Sequence, residues 1–131
     1  MADRHPLLDD EGSAPVEFVL VGAVLTFLTL AVLQLGFAVY IRNVVHDAAV
    51  EGAYHAALAD MSLADGATRT AEVVSRVVGD AYPVEVQAVE TDRFGYPATE
   101  VTVRATLPVA GPWGVPGALE VTAHAPNESF D

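Results

Sequence analysis

Hydrophobic positions along this chain follow three patterns in turn, and each predicts a different element. Residues 18–41 carry no charged side chain. As a helix this run is about 36 Å long at about 1.5 Å per residue, enough to cross a hydrocarbon core of about 30 Å with some tilt. After Arg42 the pattern becomes amphipathic without a break. Ile41, Val45, Ala48, Gly52, Ala56 and Ala59 recur on one narrow stripe at helical spacing, with Asn43, Asp47, Glu51 and Tyr54 on the other side. One helix over residues 13–59 is therefore expected, transmembrane over about 18–41. Ser13 is its expected N-cap, Pro15 suits its first turn, and Glu17 in that turn faces the positive end of the helix dipole.

A second helix is expected over residues 63–78. The Ser62-x-x-Asp65 box, or Asp65 itself, caps its start and Gly79 ends it. Ala67, Ala71, Val74 and Val78 form its expected buried face, with a Glu72–Arg76 pair outside. From Val84 the period becomes two. Residues 84–88, 101–107 and 119–124 alternate and predict three strands. The turn-rich residues 92–97 join the first two. The Pro- and Gly-rich residues 108–117 are expected to forbid regular structure between the second and third. Such alternation suits an antiparallel sheet with one covered face, the cover being the small-residue stripe and the second helix. The predicted class is α+β: a single N-terminal transmembrane helix extending into a small head with a second helix and a three-stranded antiparallel sheet. Residues 1–12 form a leader, 60–126 the head and 127–131 a loose tail.

Composition sharpens this picture. Among 131 residues the net charge is −12, with six Arg and no Lys. A nucleic-acid binder needs cations to displace phosphate counterions, and a polybasic lipid-docking patch needs them too; neither fits. The absence of cysteine excludes disulfides, thiol catalysis and Cys-based zinc sites. The apolar run is longer than the roughly 7–15 residues of a signal-peptide core, and no Ala-x-Ala-like site follows it, so the segment persists in the mature protein. Arg4 and Arg42 flank it on opposite sides, so charge alone leaves the orientation open.

Candidate chemistry is sparse. His46, His55 and His124 match no metal-ligand spacing and read as solvated or capping side chains. Ser13 has no neighbouring base, and there is no phosphate-binding glycine loop. The chain is therefore expected to be no enzyme, with no metal and no cofactor. Asp9-Asp10-Glu11 is a solvated acidic leader. Trp113 with Phe94 and Tyr96 makes a sticky loop edge, or each of them caps the small core or sits near lipid headgroups. In the span, Gly22, Thr26, Thr29 and Gly36 share one face where helices can pack closely; ordinary membrane composition explains them equally. Gln34 lies on another face.

Taken together, Gly12-Ser13-Ala14-x-Val16-Glu17-Phe18, the long apolar run and Glu51-Gly52-Ala53-Tyr54-His55-Ala56-Ala57 resemble the TadE-like family. Its members are pseudopilins of the tight-adherence (Tad/Flp) pilus system, with a type IV prepilin-like N-terminus. The resemblance implies a minor pseudopilin or assembly protein of a Tad-type pilus. A prepilin peptidase would cut after Gly12, leaving Ser13 as the new N-terminus and Glu17 as the fifth mature residue. The implied partners are other pilins and pseudopilins, the peptidase, the inner-membrane assembly platform and membrane lipid, with the head on the extracytoplasmic side of the cell membrane. The chain departs from the family in its acidic leader and in lacking a proline within the apolar run.

Physically, a carboxylate carried into a helix bundle loses water and needs a partner. On this reading the amine freed at Ser13 supplies it, on the same or a neighbouring subunit, and sets axial register. The plainer reading is that Glu17 marks the membrane surface and reaches water. The rival function is an uncleaved membrane-anchored domain that binds an envelope partner without catalysis.

Overall fold

The computed structural model describes residues 12–80, 83–110 and 113–129, and for 108–110 and 113–116 the backbone alone. The leader, with Arg4 and the Asp9-Asp10-Glu11 run, lies outside the described residues, as do the side chain of Trp113 and the end of the tail. Elements follow in the order α1 (Ser13–Ala57), α2 (Leu63–Val78), β1 (Val84–Thr91), β2 (Ala98–Ala110) and β3 (Trp113–Pro126). This is the expected α+β architecture, with one long apolar helix, a second helix and an antiparallel sheet. The chain divides into two units, Met1–Leu35 and Gly36–Asp131.

In the first unit the described residues are helical from Ser13, and nearly every side chain is exposed. Phe18 is 80% and Phe27 76% exposed. A helix apolar on all sides needs an apolar surrounding, and this one is long and apolar enough to cross a membrane. Pro15 falls in the first turn as expected. Ser13 does not cap the helix, because it is already its first residue. Glu17 falls just past the first turn, which holds no acid, so its interaction with the dipole is weaker than expected.

The second unit holds the packed core. Ile41, Val45, Ala48, Ala49, Ala53 and Ala57 of α1 pack with Val74 of α2, Val101, Val103 and Ala105 of β2, and Leu119, Val121, Ala123 and Ala125 of β3. The expected stripe is there, and Ala49, Ala53 and Ala57 widen it to a full face. Ala59 does not belong to it. The helix ends at Ala57, and Ala59 is exposed in the following turn. The backbone carbonyl of Ala57, left without a helical partner, accepts from the Glu128 N–H at 3.0 Å.

In α2 the Ser62–Asp65 capping box is complete and Gly79 ends the helix at φ 84°, its N–H reaching Ser75 O at 2.8 Å. Its buried line is Gly66, Thr70 and Val74. The expected Ala67, Ala71 and Val78 are only half-buried, because close contact with α1 turns the glycine line inward. The expected Glu72–Arg76 pair is not made; the α2 cation that finds a carboxylate is Arg69, which reaches Glu51 of α1 at 2.8 Å.

The sheet is a meander in the order β1-β2-β3, antiparallel throughout. Val101, Val103, Ala105, Leu119, Val121 and Ala123 point inward, while Thr102, Arg104, Glu120 and Thr122 alternate outward. Residues 108–117 were expected to be irregular. Instead β2 continues to Ala110 and β3 starts at Trp113, with Leu107 opposite Val115 and Pro108 opposite Gly114. Register shifts between Ala105 and Leu107 and between Pro108 and Ala110 accommodate the breakers. At the other end Gly95 turns the β1–β2 hairpin with φ 82°. The Asn127 N–H donates to Pro97 O at 2.9 Å, and the Thr99 hydroxyl to Asn127 Oδ1 at 2.7 Å.

Candidate functional site

The processing, charge-pairing and packing residues singled out from the sequence lie on α1 or just before it. Gly12 precedes the helix in a short tight turn, Ser13 opens it, and Glu17 follows one turn later. All three are exposed. Glu17 has no ion-pair or hydrogen-bond partner among the described residues. Were this helix to cross a membrane, a carboxylate flanked by Val16 and Phe18 and followed by an uncharged run would need either water at the membrane surface or a cation brought to it.

The face carrying Gly22, Thr26 and Thr29 is open, and a Cβ added at Gly22 would meet nothing within 4 Å. The same holds at Gly36 in the second unit. The Thr29 hydroxyl donates to Leu25 O at 2.8 Å, so it is satisfied within its own helix and leaves a small, smooth surface. Glu17 is about 140° round the helix from Gly22 at about 100° per residue. Charge and small residues thus occupy different sides of the span.

Beyond residue 36, α1 supplies the contact that organises the second unit. Gly52 lies against Gly66 and Thr70 of α2. A Cβ on Gly52 would overlap the Thr70 hydroxyl and come within 3.0 Å of Gly66 O; a Cβ on Gly66 would overlap Ala56 and come within 2.7 Å of Gly52 O. The two backbones therefore touch, a geometry open only to glycine. The buried Thr70 hydroxyl donates to Gly66 O at 2.9 Å, and among the described residues no buried side-chain polar atom is left unmatched. Alongside, Arg69 Nε and Nη2 both reach Glu51 Oε1, at 2.9 and 2.8 Å. The sequence marked Glu51 as solvent-facing and Gly52 as a stripe residue. It gave no sign that each has a partner on α2, because such pairing is not periodic.

The histidines do not converge. His46 and His124 are exposed and His55 is half-buried. His55 borders a groove with Glu51, Tyr54, Leu58, Pro126 and Glu128. Among the described residues no three His, Asp or Glu side chains gather as metal ligands. His124 stacks on Phe94 with ring centroids 4.0 Å apart, and Phe94 in turn stacks on Tyr96 at 6.1 Å. The aromatic edge expected from Phe94 and Tyr96 thus exists on the hairpin turn. His124 completes it because β3 lies beside that turn.

Among the described residues two ionisable groups are displaced from their ordinary values. Ser62, through its hydroxyl and then its N–H, holds the Asp65 carboxyl below its usual 3.8. Glu120 raises Arg104 by accepting its Nε–H at 2.8 Å. Both belong to the framework and lie far along the chain from Glu17.

Comparison with known proteins bears on the same helix. No curated protein and no solved structure matches the chain. The family model described as TadE-like protein matches residues 12–53, beginning at the glycine before Ser13 and ending beside Gly52. Over that segment, which takes in the acid at position 17, the apolar run and the start of the small-residue face, the chain is TadE-like.

Proposed function

We propose that this chain is a minor pseudopilin or assembly protein of a Tad-type pilus, anchored in the cell membrane by α1. A prepilin peptidase cuts it after Gly12. The observation that carries this reading is the coincidence of three boundaries: the family match starts at Gly12, the helix starts at Ser13, and Glu17 follows before an uncharged run. Cleavage at that point places a free amine at the helix N-terminus, one turn from the carboxylate. In a dry bundle of helices the amine of the same or a neighbouring subunit neutralises Glu17, which otherwise bears the desolvation cost alone. Pairing of this kind favours one axial stagger between subunits. The face with Gly22, Thr26, Thr29 and Gly36 lets neighbouring helices approach closely.

The chain acts by packing and processing, not by catalysis, and its partners are other pilins and pseudopilins, the peptidase and the assembly platform. The second unit faces the extracytoplasmic side. The test is the mass of the N-terminal peptide of the membrane-bound protein. A peptide beginning at Ser13 supports the proposal. A full-length chain beginning at Met1, from cells with an active processing protease, overturns it in favour of an uncleaved, membrane-anchored binding domain.

A further inference from the structure

Where α1 passes the edge strand β3, a cleft of about 330 Å³ opens, lined by Arg42, Asn43 and His46 of the helix and Glu120, Val121 and Thr122 of the strand. Arg42 is exposed and has no ion-pair partner among the described residues. Glu120, the one carboxylate on the lining, is already engaged by Arg104 at 2.8 Å. The Thr122 hydroxyl shares a hydrogen bond with Thr102 at 3.2 Å. What the cleft offers a visitor is therefore an uncompensated guanidinium flanked by an amide and an imidazole. A guanidinium presents N–H donors in a planar fork suited to a phosphate's oxygens.

The position of the cleft says which phosphate. Arg42 is the first charge after residues 18–41, so in a helix spanning the hydrocarbon it stands at the level of the lipid headgroups. Tyr40, beside it, is 57% exposed and is the residue type that collects at that level. We propose that this cleft binds the phosphate of an anionic phospholipid, with Arg42 as its principal cation. The chain's charge of −12 repels anions at long range. At physiological salt that repulsion is screened over about 8 Å, and the groups lining the cleft decide. A lipid held there would fix the level at which the helix leaves the bilayer. The proposal rests on the membrane-span part of the function proposed above, and not on processing or pilus assembly.

The test uses the full chain in neutral detergent, titrated with phosphatidylglycerol or phosphatidylcholine and read by native mass spectrometry. Phosphatidylglycerol is expected to be retained preferentially. Arg42→Gln is expected to weaken that retention about fivefold, the effect of one cation near a lipid phosphate. Arg42→Lys is expected to keep most of it, and Arg93→Gln, on the hairpin turn, all of it. Equal retention of the two lipids, or unchanged retention in Arg42→Gln, overturns the proposal. Alkaline carbonate extraction checks the span separately. A chain washed from membranes refutes the span, whereas one that stays but does not discriminate between lipids refutes only the headgroup site.

Discussion

Two glycines set the tightest tolerance in this molecule. Gly52 and Gly66 bring α1 and α2 into backbone contact, and neither site has room for a methyl group. Gly52→Ala pushes against the Thr70 side chain, while Gly66→Ala pushes against Ala56 and the backbone of Gly52. Helix propensity alone favours alanine by about 1 kcal/mol. Overpacking costs about 1–3 kcal/mol, and where a backbone atom is the obstacle the cost prevails. Both variants are expected to lower the melting temperature, Gly66→Ala the more, because main chain stands nearer its added methyl, at 2.7 Å against 3.0 Å for Gly52→Ala. The nearby Glu51–Arg69 pair is about half exposed. Such pairs contribute at most about 1 kcal/mol, so Arg69→Gln is expected to shift the melting temperature far less than either glycine variant. Equal effects would show that charge, and not the close approach, holds the two helices.

Among the elements, α2 shows how a short sequence signal becomes structure. The Ser62 hydroxyl accepts the Asp65 N–H at 3.2 Å, and the Asp65 carboxylate accepts the Ser62 N–H at 3.0 Å and its hydroxyl at 2.7 Å. Ser62→Ala removes the cap and is expected to cost about 1 kcal/mol, measured by chemical denaturation. The pH dependence has a definite sign. Asp65 is held below its ordinary value when folded, so its contribution is present above the unfolded pKa of about 3.9 and is lost as pH falls through the lower folded value. The stability difference between the native chain and Asp65→Asn is therefore expected at neutral pH and should vanish in strong acid. A difference that persists there would place the effect in packing, not in the carboxylate. In β2 and β3 the signal misled. Pro and Gly in residues 108–117 read as breakers, yet the strands pass through Pro108, Gly114, Pro116 and Gly117, while Gly111 and Pro112 lie outside the described residues. A two-stranded hairpin extension has free edges on both sides, and register shifts absorb the residues that cannot pair.

For the whole molecule the decisive question is whether α1 acts as an assembly helix. On the proposed function, Glu17→Ala leaves membrane insertion intact, since it removes a charge, but reduces incorporation into the pilus. Gly12→Leu blocks processing and leaves a longer chain in the membrane. Fractionation with sheared-fibre immunoblots reads both outcomes. Normal fibre content in the two variants together would refute the role given to this end of the helix. Variants in the second unit, such as Gly52→Ala, are expected to lower the amount of folded protein without changing the cleavage position.

How much was legible beforehand follows from the range of the forces involved. The long helix, the second helix with its cap, the three strands and the family resemblance were all readable, because apolar periodicity, capping and turn chemistry act between residues close in the chain. The acid at position 17 stood out for the same reason: a single charge is conspicuous beside a run that has none. Tertiary structure alone decided which side of α2 faces inward, since Gly66 outranks Ala67 only when Gly52 lies opposite. It alone paired Arg69 with Glu51 and placed His124 on Phe94. It also left Arg42 uncompensated beside β3 by giving Glu120 to Arg104. Each of those outcomes depends on contacts between distant segments, whose geometry is set by close packing of the whole and leaves no periodic trace in the order of residues.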